Sequence, residues 1–96
     1  MNYPSISLVT PCYNHADFVG DTIESVIVQG YPKLEYIVIN DGSMDESEAV
    51  ITRYADQLYH WETWTGYRPG PAAAINRGFS FSSGEIMGWL NSDDLL

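Results

Sequence analysis

The chain has 96 residues, with 13 acidic side chains against four basic ones and a net charge of −9, which leaves room for one domain (residues 1–96) and no basic surface for a nucleic acid. Its 45% hydrophobic and 14% aromatic content is that of a folded globular chain and too apolar for disorder. No apolar run approaches the ~20 residues of a membrane span, and Met1-Asn2-Tyr3-Pro4 lacks the basic start of a signal peptide, so a soluble, intracellular chain is expected.

The elements alternate. Ile6-Ser7-Leu8-Val9-Thr10 is rich in β-branched residues and is predicted as a first strand, closed by Pro11, which has no N–H for a ladder. From Phe18, apolar Val19, Ile23, Val26 and Ile27 recur at helical spacing, and the helix is expected to end near Gly30 with Pro32 beyond it. Tyr36-Ile37-Val38-Ile39 is a near-continuous apolar strand, the mark of a parallel strand covered on both faces. Ser43-Met44-Asp45-Glu46 fits a capping box for a second helix over 45–56, with Val50, Ile51 and Tyr54 facing inward.

Leu58 to Trp64 alternates as a third strand, less buried because His60 and Glu62 interrupt it. A Gly and Pro loop over 66–71 precedes a short helix carrying Ala72 to Ala74, Ile75 and Phe79, expected to end at Ser83-Gly84. Ile86 to Leu90 is the fourth strand, running straight into Asn91-Ser92-Asp93-Asp94. The series predicts an α/β fold: a Rossmann-like parallel sheet of about four strands, helices on both faces, the fourth strand beside the first.

Three polar clusters then fall on one rim of that sheet: Pro11-Cys12-Tyr13-Asn14, Asp41-Gly42-Ser43 and Asn91-Ser92-Asp93-Asp94. Ligands of open α/β sheets sit outside the carboxyl ends of the strands, so the joint pattern points to a binding crevice. Taken singly, Tyr13 could cap the core, Asp41 could make an Asx-turn before Gly42, and the acid pair could be a solvated turn. Cys12 is the one cysteine, which excludes an internal disulfide and a cysteine-built zinc site and leaves a small packing residue at a strand end. Neither Gly-x-Gly-x-x-Gly, nor a Gly-Lys-Ser/Thr phosphate loop, nor a Gly-x-Ser-x-Gly elbow is present. The acids could hold a divalent cation, and through it an anion, in an otherwise acidic protein. In an extended segment Asn91 and Asp93 share a face while Asp94 points away, which ranks Asp93 ahead of Asp94. His15 and His60 read as turn and strand-surface residues, and Arg77 as a helix-surface residue.

Together these segments resemble the amino-terminal half of the catalytic domain of family 2 glycosyltransferases, the inverting enzymes of the GT-A fold. The resemblance rests on Pro11-Cys12-Tyr13-Asn14 after the first strand, Glu24-Ser25-Val26 through Tyr31-Pro32, and the apolar strand ending Asn40-Asp41-Gly42-Ser43-Met44-Asp45. It extends through Ala74-Ile75-Asn76-Arg77-Gly78 and the closing stretch from Gly84 to Asp94. It departs at Asn40 and at Asn91, which stand where the family has aspartates, Asn91 replacing the first acid of the Asp-x-Asp metal motif.

The resemblance implies a nucleotide-diphosphate sugar as donor, UDP- or dTDP-linked, with Pro11, Cys12, Tyr13 and Asn14 at the base and Asp41 accepting a base N–H. It further implies Asn91 and Asp93 at the ribose or metal, Arg68 at the diphosphate, and Mg²⁺ or Mn²⁺ held by Asp93 and Asp94. An acceptor glycan or lipid-linked sugar, a catalytic base beyond Leu96, and a place in cell-surface polysaccharide synthesis at the inner face of the membrane are also implied. On this reading the chain is the donor half of a truncated GT-A domain whose open sheet edge invites a homodimer. A non-catalytic nucleotide-binding module and a metal-dependent nucleotidyltransferase are the alternatives; the second should carry a Gly-rich basic loop after the first strand.

Overall fold

A computed structural model describes residues 3–14, 16–41, 45–64 and 70–93. In chain order the elements are strand β1 (Ile6–Cys12), helix α1 (Ala16–Ile27), strand β2 (Leu34–Asp41), helix α2 (Ser47–Thr52), a single 3₁₀ turn (Ala55–Gln57), strand β3 (His60–Trp64), helix α3 (Pro71–Phe79) and strand β4 (Ile86–Trp89). All strand pairs are parallel, in the order β3-β2-β1-β4. The expected four-stranded parallel sheet is therefore present, with β4 beside β1.

Side-chain alternation splits the core in two. On one face Cys12, Tyr36 and Val38 pack against Val19, Ile23 and Val26 of α1 and Ile51 of α2. On the other, Val9, Ile37 and Ile39 pack against Ala74, with Phe79 at the margin, so α3 covers that side. Within the first core the Tyr36 hydroxyl meets Thr10 Oγ1 at 2.8 Å. Burial pushes the phenol up to about 12 despite that bond.

The chain runs outward from β1 to β2 to β3, then returns past its start to place β4 on the other side of β1. That reversal is a topological switch point, and in such sheets it opens a crevice at the carboxyl ends of the two central strands. Pro11 sits at this opening. It does not end β1, which pairs with β2 through Cys12 and Asn40. It ends the pairing on the other side only: the Val9 carbonyl accepts the Leu90 N–H at 2.9 Å, backbone groups alternate in direction, and residue 11 is the next to face β4. Having no N–H, Pro11 cannot extend that ladder, and the β1–β4 register stops at Val9 and Trp89.

Other boundaries depart from expectation for identifiable reasons. Helix α1 begins two residues before Phe18, because the Asp45 carboxylate accepts the Ala16 N–H at 3.1 Å. The same carboxylate accepts the N–H and hydroxyl of Ser47, so one side chain bonds the first residue of both helices. Helix α2 starts at Ser47 rather than at residue 45, with Glu46 as its N-cap without a side-chain bond; Ser43 and Met44 of the expected capping box lie outside the described residues. Helix α2 is six residues long and gives way to the 3₁₀ turn; Ile51 is buried and Val50 and Tyr54 are half-buried.

Gly30, at φ 64°, follows α1 in the left-handed conformation that an ordinary residue avoids. Helix α3 starts at Pro71 behind Gly70, whose φ of 108° likewise suits glycine. It stops at Phe79 rather than Gly84, since the Ser80 and Ser82 hydroxyls bond back to the Arg77 and Phe79 carbonyls and tighten the exit. Where α3 crosses β1, Gly78 lies against Val9 so closely that a Cβ there would come within 2.4 Å of a Val9 methyl.

Candidate functional site

The three polar clusters converge. A cleft of about 370 Å³ opens at the switch point, lined by Pro11, Cys12, Tyr13, Asp41, Pro71, Asn91, Ser92 and Asp93. That volume falls in the range of small-molecule sites. Each wall has a local origin. Pro11 and Cys12 end β1 and are buried, and Tyr13 follows in the turn, 36% exposed, its ring open to the cleft. Asn14, at φ 51°, takes the left-handed conformation that asparagine tolerates and reverses the chain toward α1; it does not line the cleft.

Asp41 is the last residue of β2 and only 1% exposed. It is on the α3 side of the sheet, in step with Ile37 and Ile39, and the start of α3 at Pro71 faces the same cleft. Asn40 points to the opposite face, buried, with its Nδ2 reaching Thr63 Oγ1 of β3 at 3.5 Å. The asparagine thus ties two strands together and does not reach the cleft.

After β4 the burial alternates: Asn91 exposed, Ser92 buried, Asp93 exposed. Asn91 and Asp93 both line the cleft, but the backbone turns at Ser92 and Asp93, so this is not the extended segment on which their spacing was read. Ser92 is turned inward, and its carbonyl accepts the Thr22 hydroxyl of α1 at 2.8 Å. Arg68 and Asp94, both expected in the site, lie outside the described residues, as does His15.

The cleft is negative. Its described lining carries the carboxylates of Asp41 and Asp93 and includes neither lysine nor arginine. Among the described residues no group of three or more His, Cys, Asp or Glu could cage a metal ion. The donor chemistry nonetheless suits a hard cation: Mg²⁺ and Mn²⁺ prefer oxygen, and Mg²⁺ commonly takes one or two carboxylates and fills its shell with substrate phosphates and water. Asp93 supplies such a carboxylate and Asn91 an amide oxygen.

Between β3 and α3 lies a partly exposed cluster whose bonds the sequence did not indicate, with Arg77 on the helix surface as expected. The Glu62 carboxylate accepts the Trp64 indole N–H at 2.7 Å and the Arg77 Nε–H at 3.0 Å, and meets His60 Nε2 at 2.9 Å. His60 stacks on Phe81 with centroids 3.9 Å apart, and Arg77 lies over the same ring at 4.6 Å. Burial works to raise the Glu62 carboxyl, but the bonds from Arg77, His60 and Trp64 outweigh it and hold it at about 2. Arg77 is thereby committed to pinning α3 onto β3.

Pro71 was not anticipated in the site, and Ser92 entered only as a member of the cluster after the fourth strand. The signal for Pro71 was the Gly70-Pro71 helix start at the open end of the sheet.

Comparison with known proteins agrees with this geometry. The model of glycosyl transferase family 2 matches residues 7–96. An uncharacterized glycosyltransferase of Rickettsia typhi is 36% identical over 92 residues, covering 96% of this chain and 28% of the relative. A Bacillus subtilis glycosyltransferase named for teichuronic acid biosynthesis is 32% identical over 93 residues, covering 95% of this chain and 36% of the relative. The chain thus spans roughly a third of the length of these curated relatives.

Among solved structures, a mannosyltransferase from Pyrobaculum calidifontis in complex with GDP-Man and Mn²⁺ superposes with a TM-score of 0.85 at 26% identity, over 99% of this chain and 29% of that one. Glucosyl-3-phosphoglycerate synthase of Mycobacterium tuberculosis, in complex with Mn²⁺, UDP and glucosyl-3-phosphoglycerate, superposes with a TM-score of 0.73 at 27% identity, over 93% of this chain and 33% of that one.

Proposed function

Because the chain belongs to glycosyl transferase family 2, we propose that its cleft holds the nucleoside diphosphate of a sugar donor with the help of a divalent cation. One observation carries the reading: an acidic cleft with no described basic side chain sits where the fold binds ligands, and its oxygen donors suit the cation that an anionic ligand would require. Solved relatives above a quarter identity hold Mn²⁺ with UDP in one case and with GDP-Man in the other.

In this reading Tyr13 packs on the base and Pro11 and Cys12 form the floor beneath it. Asp41 accepts an imide N–H, which favours uracil or thymine. Asn91 and Asp93 meet the ribose and hold the cation, with Asp94 and Arg68 as further contacts to cation and diphosphate. When bound, Mg²⁺ or Mn²⁺ supplies charge neutralisation on the leaving diphosphate.

Transfer is an inverting displacement. An acceptor hydroxyl oxygen bonds to the anomeric carbon as the bond from that carbon to the diphosphate oxygen breaks; the proton passes to a carboxylate base and the electron pair leaves with the diphosphate. Asp41 and Asp93 already have donor-side roles. The base and the acceptor-side wall are therefore assigned to further sequence of the kind that makes up the rest of the longer relatives, and a glycan or lipid-linked sugar is the acceptor class. The teichuronic acid relative supports a role in cell-surface polysaccharide synthesis. No helix among the described residues is long and apolar enough to cross a membrane, and the proposed place of action is the cytoplasm, at the inner membrane face.

Calorimetric titration with UDP and with GDP, each in Mn²⁺ and in chelator, tests the reading. Expected are tighter binding of UDP than of GDP, a requirement for the cation, and loss of at least ~tenfold in affinity for Asp93→Ala in Mn²⁺. Equal affinity in Mn²⁺ and chelator would remove the cation from the proposal. Binding of neither nucleotide would remove the donor site.

A further inference from the structure

Strand β4 gives the cleft residues at its carboxyl end little support. It has four residues, pairs among the described residues only with β1, and leaves Ile86, Met87 and Trp89 about half exposed or more. Its last backbone bond, Leu90 N–H to the Val9 carbonyl, comes immediately before the cleft residues Asn91 and Asp93. Pro11, the next residue to face β4, has no N–H to donate to the pair. Two cleft groups would thus hang from the frayed end of an edge strand.

A buried contact with α1 opposes this. The Thr22 hydroxyl, in the middle of α1 and fully buried, donates to the Ser92 carbonyl at 2.8 Å across 70 residues of sequence. A second carbonyl contact, to Phe18 one turn earlier, is longer at 3.2 Å and is the ordinary back-bond of a helical threonine. Thr22 lies beside Val19, Ile23 and Val26, which anchor α1 to the sheet, so the hydroxyl is rigidly held.

We infer that Thr22 is a positioning residue for the cleft: by holding the Ser92 carbonyl against α1, it turns Asn91 and Asp93 outward together and sets their distance from Asp41 and Tyr13. Burial of Ser92 between two exposed neighbours is the pattern such a tether produces. The consequence for ligand binding rests on the proposed donor site; the consequence for the turn does not.

The experiment has two readouts. Thr22→Val keeps the shape and removes the donor, and Thr22→Ser restores it. Amide hydrogen exchange in the ligand-free chain is expected to quicken about tenfold or more at residues 91–93 in Thr22→Val, with Val9, Ile37 and Ile39 unchanged and Thr22→Ser close to wild type. In parallel, affinity for UDP in Mn²⁺ should fall about tenfold in Thr22→Val and recover in Thr22→Ser, while affinity in chelator stays the same.

Unchanged exchange at residues 91–93 in Thr22→Val would overturn the inference. If wild type fails to bind UDP with Mn²⁺, the donor reading falls and the exchange result still decides the role of Thr22. Should valine unfold the chain, Thr22→Cys, similar in size and a weak donor, takes its place; global unfolding by both would also overturn the inference, since the hydroxyl would then be holding the core and not the turn.

Discussion

A single methyl group added at Gly78 would meet Val9 Cγ1 at 2.4 Å and Cγ2 at 2.6 Å. Neither atom has anywhere to go, because Val9 is fully buried under α3. Gly78→Ala is therefore expected to cost about 1–3 kcal/mol, read as a lower urea midpoint at unchanged slope. Glu62 makes the opposite kind of contribution. It accepts from two N–H donors and meets a third ring nitrogen, and Glu62→Gln, similar in shape but uncharged, should lose about 1–3 kcal/mol in the same assay. An unchanged melt would mean that the cluster forms without holding α3 to β3. The roles of Glu62 and Arg77 were illegible in the sequence, because β3 has no clean apolar period and the partners are 15 residues apart on separate elements. Asp41 and Asp93 were legible, because each ends an apolar run at the same rim.

At the scale of elements, strands were easier to foresee than helix ends. Three apolar runs and one alternating segment, separated by helices, stack as a parallel sheet, and the place of β4 beside β1 agreed with handed crossovers. The α1 start was not foreseeable from local pattern: the carboxylate that accepts its first N–H, Asp45, lies 29 residues away, beside the start of α2. Asp45→Ala should accordingly cost more than one ordinary helix cap, about 1–3 kcal/mol, with helical ellipticity reduced alongside the melting temperature. β4 carries the other element-level expectation. Its outer edge is unpaired among the described residues, and Trp89 is 58% exposed. Such an edge recruits another strand, so the isolated chain is expected to self-associate at roughly micromolar concentration, and Met87→Lys to suppress this. A monomeric sedimentation profile for wild type in that range would count against pairing through β4.

For the molecule as a whole, three carboxylates set the response to acid. Hydrogen bonds from Ser83 and then Ser7 lower Glu35; the Asp45 bonds from Ser47 and Ala16 overcome its partial burial and lower it; Glu62 is held at about 2. A carboxyl depressed on folding stabilises the native state fully above its unfolded value and loses that contribution as pH falls through the folded value. Stability should therefore hold at neutral pH and decline from about pH 4.5 toward pH 2, with Glu62→Gln flattening the lower part of the profile. A flat melting temperature across that window would contradict the assignment. Turnover is the other property of the whole: the chain alone should bind donor without useful transfer, and a longer chain bearing an acceptor-side base should gain at least the ~10²–10⁴-fold that general-base help provides. Comparable transfer by both would place the base within residues 1–96. Pro11 has a consequence of its own at this scale. Two neighbouring strands normally tend to zip until their donors run out, and a crevice between them has to be pried open by whatever enters it. Here a five-membered ring occupies the place of the next hydrogen, so the gap lacks the donor that would continue the ladder. An entering ligand meets a mouth already apart and spends none of its binding energy on separating β1 from β4. Replacing the ring by an ordinary residue would turn a permanent opening into a competition between guest and ladder.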